Sequence, residues 1–261
     1  MKLTNLAEQP VKVAAVSYLN TKPLLYGLTH HPVARKILLS LDYPSKIADQ
    51  LIRGDVDLAL VPVAILPRLR SYQIVGDYCI GADGPVASVG LFSEVPLDQI
   101  RQVYLDYQSR TSVALLKLLC AGFWKINPGF LETDGEFPNR IRGTDAGLLI
   151  GDRALAQRTR SPYCYDLGEA WKSFTGLPFV FAAWISTRVL PLDFVQAFNA
   201  ANQLGLEHIE EVVRENPCPW IDLNTYFTRH ISYLLTPEKR KGLEKFLELL
   251  SREDATQQGL S

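Results

Sequence analysis

Val11–Val16 is a short apolar, β-branched run, and the seven residues after it, Ser17-Tyr18-Leu19-Asn20-Thr21-Lys22-Pro23, constrain the fold more than any other stretch. The run reads as a buried strand. It gives way to a cluster of hydroxyls and an amide. A helix is expected to open near Lys22-Pro23, because proline sits without cost in a first helical turn and Asn20 or Thr21 can cap the exposed amides. Strand, polar turn and helix in succession form the unit of open α/β sheets, which bind ligands at the carboxyl ends of their strands. An ordinary strand–helix turn fits the same pattern equally well.

The rest of the chain can bury such a strand. Of its 261 residues 47% are apolar and 21% charged, as in a globular protein with a core. The net charge of −1 gives no bulk attraction to nucleic acid or to an anionic membrane, so a bound anion must be held by local groups. Residues Met1–Pro10 hold one lysine and no apolar core of a signal peptide, and no run approaches transmembrane length. A cytoplasmic location is the expectation. Cys79, Cys120, Cys164 and Cys218 are widely spaced and form no Cys-x-x-Cys pair, so they are expected to be reduced and structural. Neither they nor His30, His31, His208 and His230 make a ligand set, and no metal is expected.

Read in order, the chain predicts a helix over Pro23–Leu28, a strand at Ile37–Leu41, a helix over Lys46–Arg53 capped by Ser45 and stopped by Gly54, and a buried strand at Asp57–Pro62. This rhythm implies parallel βαβ units with helices on both faces. Tyr72–Ile80 and Val86–Phe92 read as further strands. The second carries small residues at Ala87, Ser88 and Gly90 that let a ligand or another backbone come close. Ser109-Arg110-Thr111-Ser112 precedes a helical run, Val113–Cys120. Its free amides, the helix dipole and Arg110 suit a carboxylate or phosphate, and simple capping by Ser109 or Thr111 suits the same residues. Ala146–Ile150 is a strand ending at Gly151-Asp152, where Asp152 either caps the next helix or faces a cleft. Phe179–Ile185 reads as a strand returning between lobes, and the chain beyond it, Leu192–Glu215 and Ile221–Ser251, as helical. Two lobes explain this order: residues 1–102 with 186–261, and an inserted lobe of residues 103–185. Ser17–Thr21, Ser88, Ser109–Ser112 and Gly151-Asp152 then face one another across a cleft.

Four segments taken together, Ser17–Leu24, Gly84–Val89, Ser109–Ser112 and Thr175–Ala182, resemble the chorismate dehydratase family of the futalosine route to menaquinone. The resemblance runs from about Val11 to Pro237. It implies an α/β, two-lobed fold like the type II periplasmic binding proteins, with a cleft between the lobes. It also implies a cofactor-independent hydro-lyase that converts chorismate, a dicarboxylate, to 3-[(1-carboxyvinyl)oxy]benzoate. By the same resemblance Asn20 serves the departing C4 hydroxyl and Ser88 binds a carboxylate. Ser109, Arg110, Thr111 and Ser112 form an anion site, Ser17, Tyr18 and Leu19 shape the pocket, and Gly151 and Asp152 border it. The motif segments hold no histidine and no carboxylate pair for acid–base work. That fits the family's proposed use of the substrate's own enolpyruvyl carboxylate as base, with the protein holding a reactive conformer away from water. The partners expected are the small-molecule substrate alone, without nucleic acid or membrane. The rival readings are the 1,4-dihydroxy-6-naphthoate synthase of the same pathway and a non-catalytic binding protein for a small anion.

Overall fold

The structure, a computed structural model, describes residues 9–258 except 134 and 136, and of 254–258 only the backbone. Residues 1–8 and 259–261, on which part of the leader reading and the end of the polar tail depend, lie outside it. Among the described residues eleven strands follow in order: β1 (Val11–Val16), β2 (Ile37–Asp42), β3 (Leu58–Pro62), β4 (Gln73–Ala82), β5 (Val89–Ser93), β6 (Gln102–Leu105), β7 (Gly129–Glu132), β8 (Asp145–Ile150), β9 (Tyr163–Asp166), β10 (Phe179–Ser186) and β11 (Ser232–Leu234). They form two sheets, ordered β11-β4-β10-β3-β1-β2 and β7-β6-β8-β5-β9. The helices are α1 (Lys22–His30), α2 (Pro44–Arg53), α3 (Arg110–Leu119), α4 (Gly151–Gln157), α5 (Leu167–Thr175), α6 (Leu192–Glu207), α7 (Ile209–Glu215), the single turn α8 (Leu223–Thr225) and α9 (Pro237–Gln258).

The parallel βαβ expectation holds where the apolar runs are continuous: β1 pairs in parallel with both β2 and β3. The rest of the first sheet is antiparallel, β10 to β3 and β4 and β11 to β4, while the second sheet is mixed, with β6 parallel to β7 and β8 and β5 antiparallel to β8 and β9. β10 is buried along its whole length, as a strand covered on both faces must be. Its Phe179 ring meets those of Trp171 and Phe246, each at 5.1 Å and edge-on, and such pairs add about 0.5–1.5 kcal/mol beyond the area they bury.

The expected lobe limits at 102 and 185 do not match the sheets. β5, at Val89–Ser93, pairs with β8 and β9 in the second sheet, so the chain leaves the first sheet after β4, at the Asp83–Ser88 turn, and returns with β10. Glycine and proline in that turn end one sheet and begin the other. Ser45 does not cap α2 either: Pro44 takes the first helical position and Tyr43 precedes it, leaving Ser45 inside the helix. Gly54 stops α2 as expected, with φ at +77°.

α1, which carries the chain out of the motif turn, is locked against α6 by two glycines. A Cβ on Gly27 would lie 1.8 Å from the Ala201 carbonyl oxygen, and one on Gly205 would lie 1.8 Å from that of Pro23. Backbone touches backbone here, so the position of the motif turn is fixed from behind.

Candidate functional site

The ends of β1 and β3, the N-terminus of α3, the β8–α4 junction and the middle of β10 line a cleft between them. Tyr18, Asn20, Ser109, Thr111, Ser112 and Gly151, six of the expected site residues, all line it. Its remaining lining, among the described residues, is apolar apart from Thr21, and no ionised side chain contributes.

Asn20 sits in a short 3₁₀ turn, Leu19–Thr21, that joins β1 to α1. Its carbonyl accepts from the Tyr233 hydroxyl at 2.9 Å and its Oδ1 from the Thr21 hydroxyl at 3.1 Å. The side-chain amide protons remain uncommitted among the described residues and can donate into the cleft. Ser17 is exposed and takes no place in the lining, and Leu19 is buried beneath the turn. The Leu19 amide donates to Asp152 Oδ1 at 3.0 Å. Asp152 therefore neither caps α4 nor faces the cleft; it ties α4 to the motif turn. Burial raises its carboxyl above the ordinary range, partly offset by that amide and by Lys22.

Ser88 is held by its neighbours. Val86 and Ala87 donate their amides to Asp166 at 3.0 and 2.7 Å, and Gly168 and Glu169 at the start of α5 donate to the same carboxylate. Ala87 carries a φ of +63°, and the Ser88 amide turns back to the Val86 carbonyl at 2.8 Å, a three-residue turn that costs energy without glycine. Asp166 thus caps a helix and clamps the turn that presents Ser88. The Ser88 side chain is fully buried, while Val86 and Val89 on either side line the cleft.

At α3 both sequence readings apply, to different residues. Ser109 is the cap, its hydroxyl accepting from the Ser112 amide at 3.1 Å, and Thr111 accepts from the Ala64 amide at 3.1 Å while keeping its own proton to give. The helix still presents its leading amides and positive dipole end to the cleft. Arg110 does not. Its guanidinium pairs with Asp49 on α2 at 2.8 Å and lies outside the lining, so the expected arginine grip on a ligand is corrected to a contact between α3 and α2. The side chain points away because, on a helix, residue Arg110 faces a different direction from Ser109 and Ser112. Lys22 likewise opens onto an outer groove beside Tyr26 and His30.

Gly151 adopts φ +60°, and a Cβ there would lie 2.9 Å from the Tyr18 ring. The aromatic ring can rest on β8–α4 only because this residue is glycine. The Tyr18 hydroxyl donates to Gln108 Oε1. Burial first, then Asp106, holds its phenol well above the ordinary value, so it stays protonated. Behind it Arg153 pairs with the buried Asp106 at 2.7 Å. Asp106, Arg153, Tyr226 and Tyr233 were not singled out from the sequence. Only the strand-end position of Asp106, just before Ser109-Arg110, offered a local signal. All four cysteines are unpaired, and burial pushes the Cys79 thiol up to about 11 and the Cys120 thiol up to about 12, as suits packing rather than chemistry.

Two sheets meeting at a cleft lined by neutral donors give a fold of the periplasmic-binding-protein kind. The Candida albicans CA3427 gene product, described as having the generic periplasmic binding protein fold, superposes with a TM-score of 0.64 at 11% identity, over 93% of this chain and 94% of that one. The chain belongs to the menaquinone biosynthesis family, whose profile matches residues 11–252. A relative from Thermus thermophilus, named chorismate dehydratase, is 32% identical over 233 residues, 79% of this chain and 84% of that protein. A Campylobacter jejuni protein of the same name is 23% identical over 241 residues, covering 89% and 94%. No described helix is long and apolar enough to cross a membrane.

Proposed function

We propose that this protein removes water from chorismate, giving 3-[(1-carboxyvinyl)oxy]benzoate as a step of menaquinone biosynthesis. The observation that carries the reading is the likeness to the Thermus chorismate dehydratase, which spans most of both chains. At the sequence level the named relatives are dehydratases, neither naphthoate synthases nor solute-binding proteins. Four free cysteines agree with work in a reducing cytoplasm.

The two sheets are the cores of two lobes, and the ligand sits where they meet. The cleft's chemistry suits the reaction. The C3 proton of chorismate is vinylogous to the ring carboxylate, so its loss gives a delocalised anion, and departure of the C4 hydroxyl makes the ring aromatic. Much of the driving force is therefore in the substrate. The chain offers no cleft base among its described residues, which supports proton transfer to the substrate's own enolpyruvyl carboxylate. In this reading Asn20 donates its amide to the leaving hydroxyl, and Ser109, Thr111, Ser112 and the α3 amides hold a carboxylate. Tyr18 and Gly151 shape the wall, and exclusion of water strengthens each of these contacts.

The test is to incubate the purified protein with chorismate and weigh the product. Loss of one water supports the reading, and chorismate recovered intact removes it.

A further inference from the structure

We propose that Tyr226 is a substrate-binding residue, its hydroxyl and that of Ser88 forming a two-donor clamp for one anionic oxygen of the ligand. The identity of that ligand rests on the dehydratase reading; the clamp itself rests on geometry. Ser88 and Tyr226 are both 0% exposed, and the hydroxyl oxygen of each lacks a hydrogen-bond partner among the described residues. Buried hydroxyls are nearly always satisfied, because leaving one unpaired forfeits its hydration for nothing. Two such groups at one place are unusual.

They are also neighbours. Burial, above all, holds the Tyr226 phenol far above its ordinary value, and the Ser88 hydroxyl is close enough to pull the other way, while Asp152 and Asp166 add to the rise. Tyr226 is therefore a proton donor at any working pH. Were the two hydroxyls to bond to each other, one proton would stay unused. A carboxylate oxygen accepts from both at once.

Each hydroxyl is brought there by its own local structure. Ser88 is set by the Ala87 turn and the Asp166 clamp. Tyr226 opens a π-helical turn, Tyr226–His230, that follows α8, whose cap is Asp222 accepting from the Thr225 amide at 2.8 Å. The Ile231 amide returns to the Tyr226 carbonyl at 3.0 Å and closes the turn. The same segment supplies Tyr233, which lies near Tyr226 and bonds the Asn20 carbonyl. One C-terminal stretch thus stands behind both Asn20 and Ser88, and places a tyrosine at each.

The test is titration calorimetry with 3-hydroxybenzoate, a carboxylate with the product's ring, on the wild type, Tyr226→Phe, Ser88→Ala and the double variant. Tyr226→Phe should weaken binding roughly 10- to 100-fold, as expected for a hydrogen bond to a charged group. Its Tm should not fall, since the change removes an unpaired buried hydroxyl and keeps the ring. The double variant should lose less than the sum of the two singles. Binding by Tyr226→Phe within about twofold of wild type, or no binding of the probe by the wild type, overturns the clamp. Chorismate turnover is followed alongside: a wild type that binds the probe yet leaves chorismate intact sinks the dehydratase reading, while the calorimetric series still decides on Tyr226.

Discussion

Asn20 lines the cleft at the end of a strand with side-chain amide donors unused among the described residues, while Tyr233 holds its backbone carbonyl and Thr21 its Oδ1. Asn20→Ala should lower kcat by about 100-fold or more, the scale of losing one preorganised donor. The fold should survive, because the lost contact with Thr21 is local; near-normal turnover in the variant would take Asn20 out of the chemistry. Asp152 carries a prediction of another kind. Its folded-state pKa is raised by burial, so the folded protein binds its proton more tightly than the unfolded chain. The associated stability is present below the ordinary value of 3.8 and is lost as pH rises through the raised one. Asn at this position mimics the neutral acid and keeps an oxygen for the Leu19 amide. Asp152→Asn should therefore gain Tm relative to wild type at pH 7.5 over what it shows near pH 4, and a pH-independent difference would contradict the assignment.

The β1–α1 turn, the Asp83–Ser88 turn, the α3 terminus and the β8–α4 junction meet as elements, each bringing one or two polar groups. Gly151→Ala tests that meeting. The new methyl requires a left-handed backbone at a non-glycine residue and drives against the Tyr18 ring, so stability should fall by about 1–3 kcal/mol and KM should rise as the ring moves into the cleft. Denaturant unfolding and steady-state kinetics would read both, and full activity at unchanged stability would show that Tyr18 has room to spare. The β1–α1 turn and the β8–α4 junction were legible in the sequence because each joins a continuous apolar strand to a polar turn, and the other two through the glycines and proline of Asp83–Ser88 and the hydroxyls of Ser109–Ser112. β9 and β11 were not. Both are short strands at sheet edges, too brief to show alternation. Ile221–Ser251 reads as helical in sequence, whereas a π-helical turn, Tyr226–His230, and a strand, Ser232–Leu234, occupy part of that stretch. Missing it hid both buried tyrosines. Arg110 misled for a related reason: a position in sequence next to Ser109 says nothing of direction around a helix, and its partner Asp49 is 61 residues away.

Across the whole molecule, the first sheet holds the motif strand and the second holds the Ser88 turn, so the site exists only where the two meet. The chain's crossing point shows why the lobe limits were displaced: β5 follows β4 closely in sequence but pairs only with β8 and β9. With no ionised side chain in its lining, the cleft would hold the proposed dicarboxylate through hydroxyls, amides and a helix terminus. In the proposed reaction the proton transfer is then left to the substrate. Real-time proton NMR of the wild-type protein with chorismate tests this most directly. The account predicts that the ring's diene and C3–C4 signals disappear as the four aromatic protons of a meta-substituted benzoate grow in, without any added cofactor or metal. Chorismate signals that persist unchanged in the presence of folded protein would contradict it.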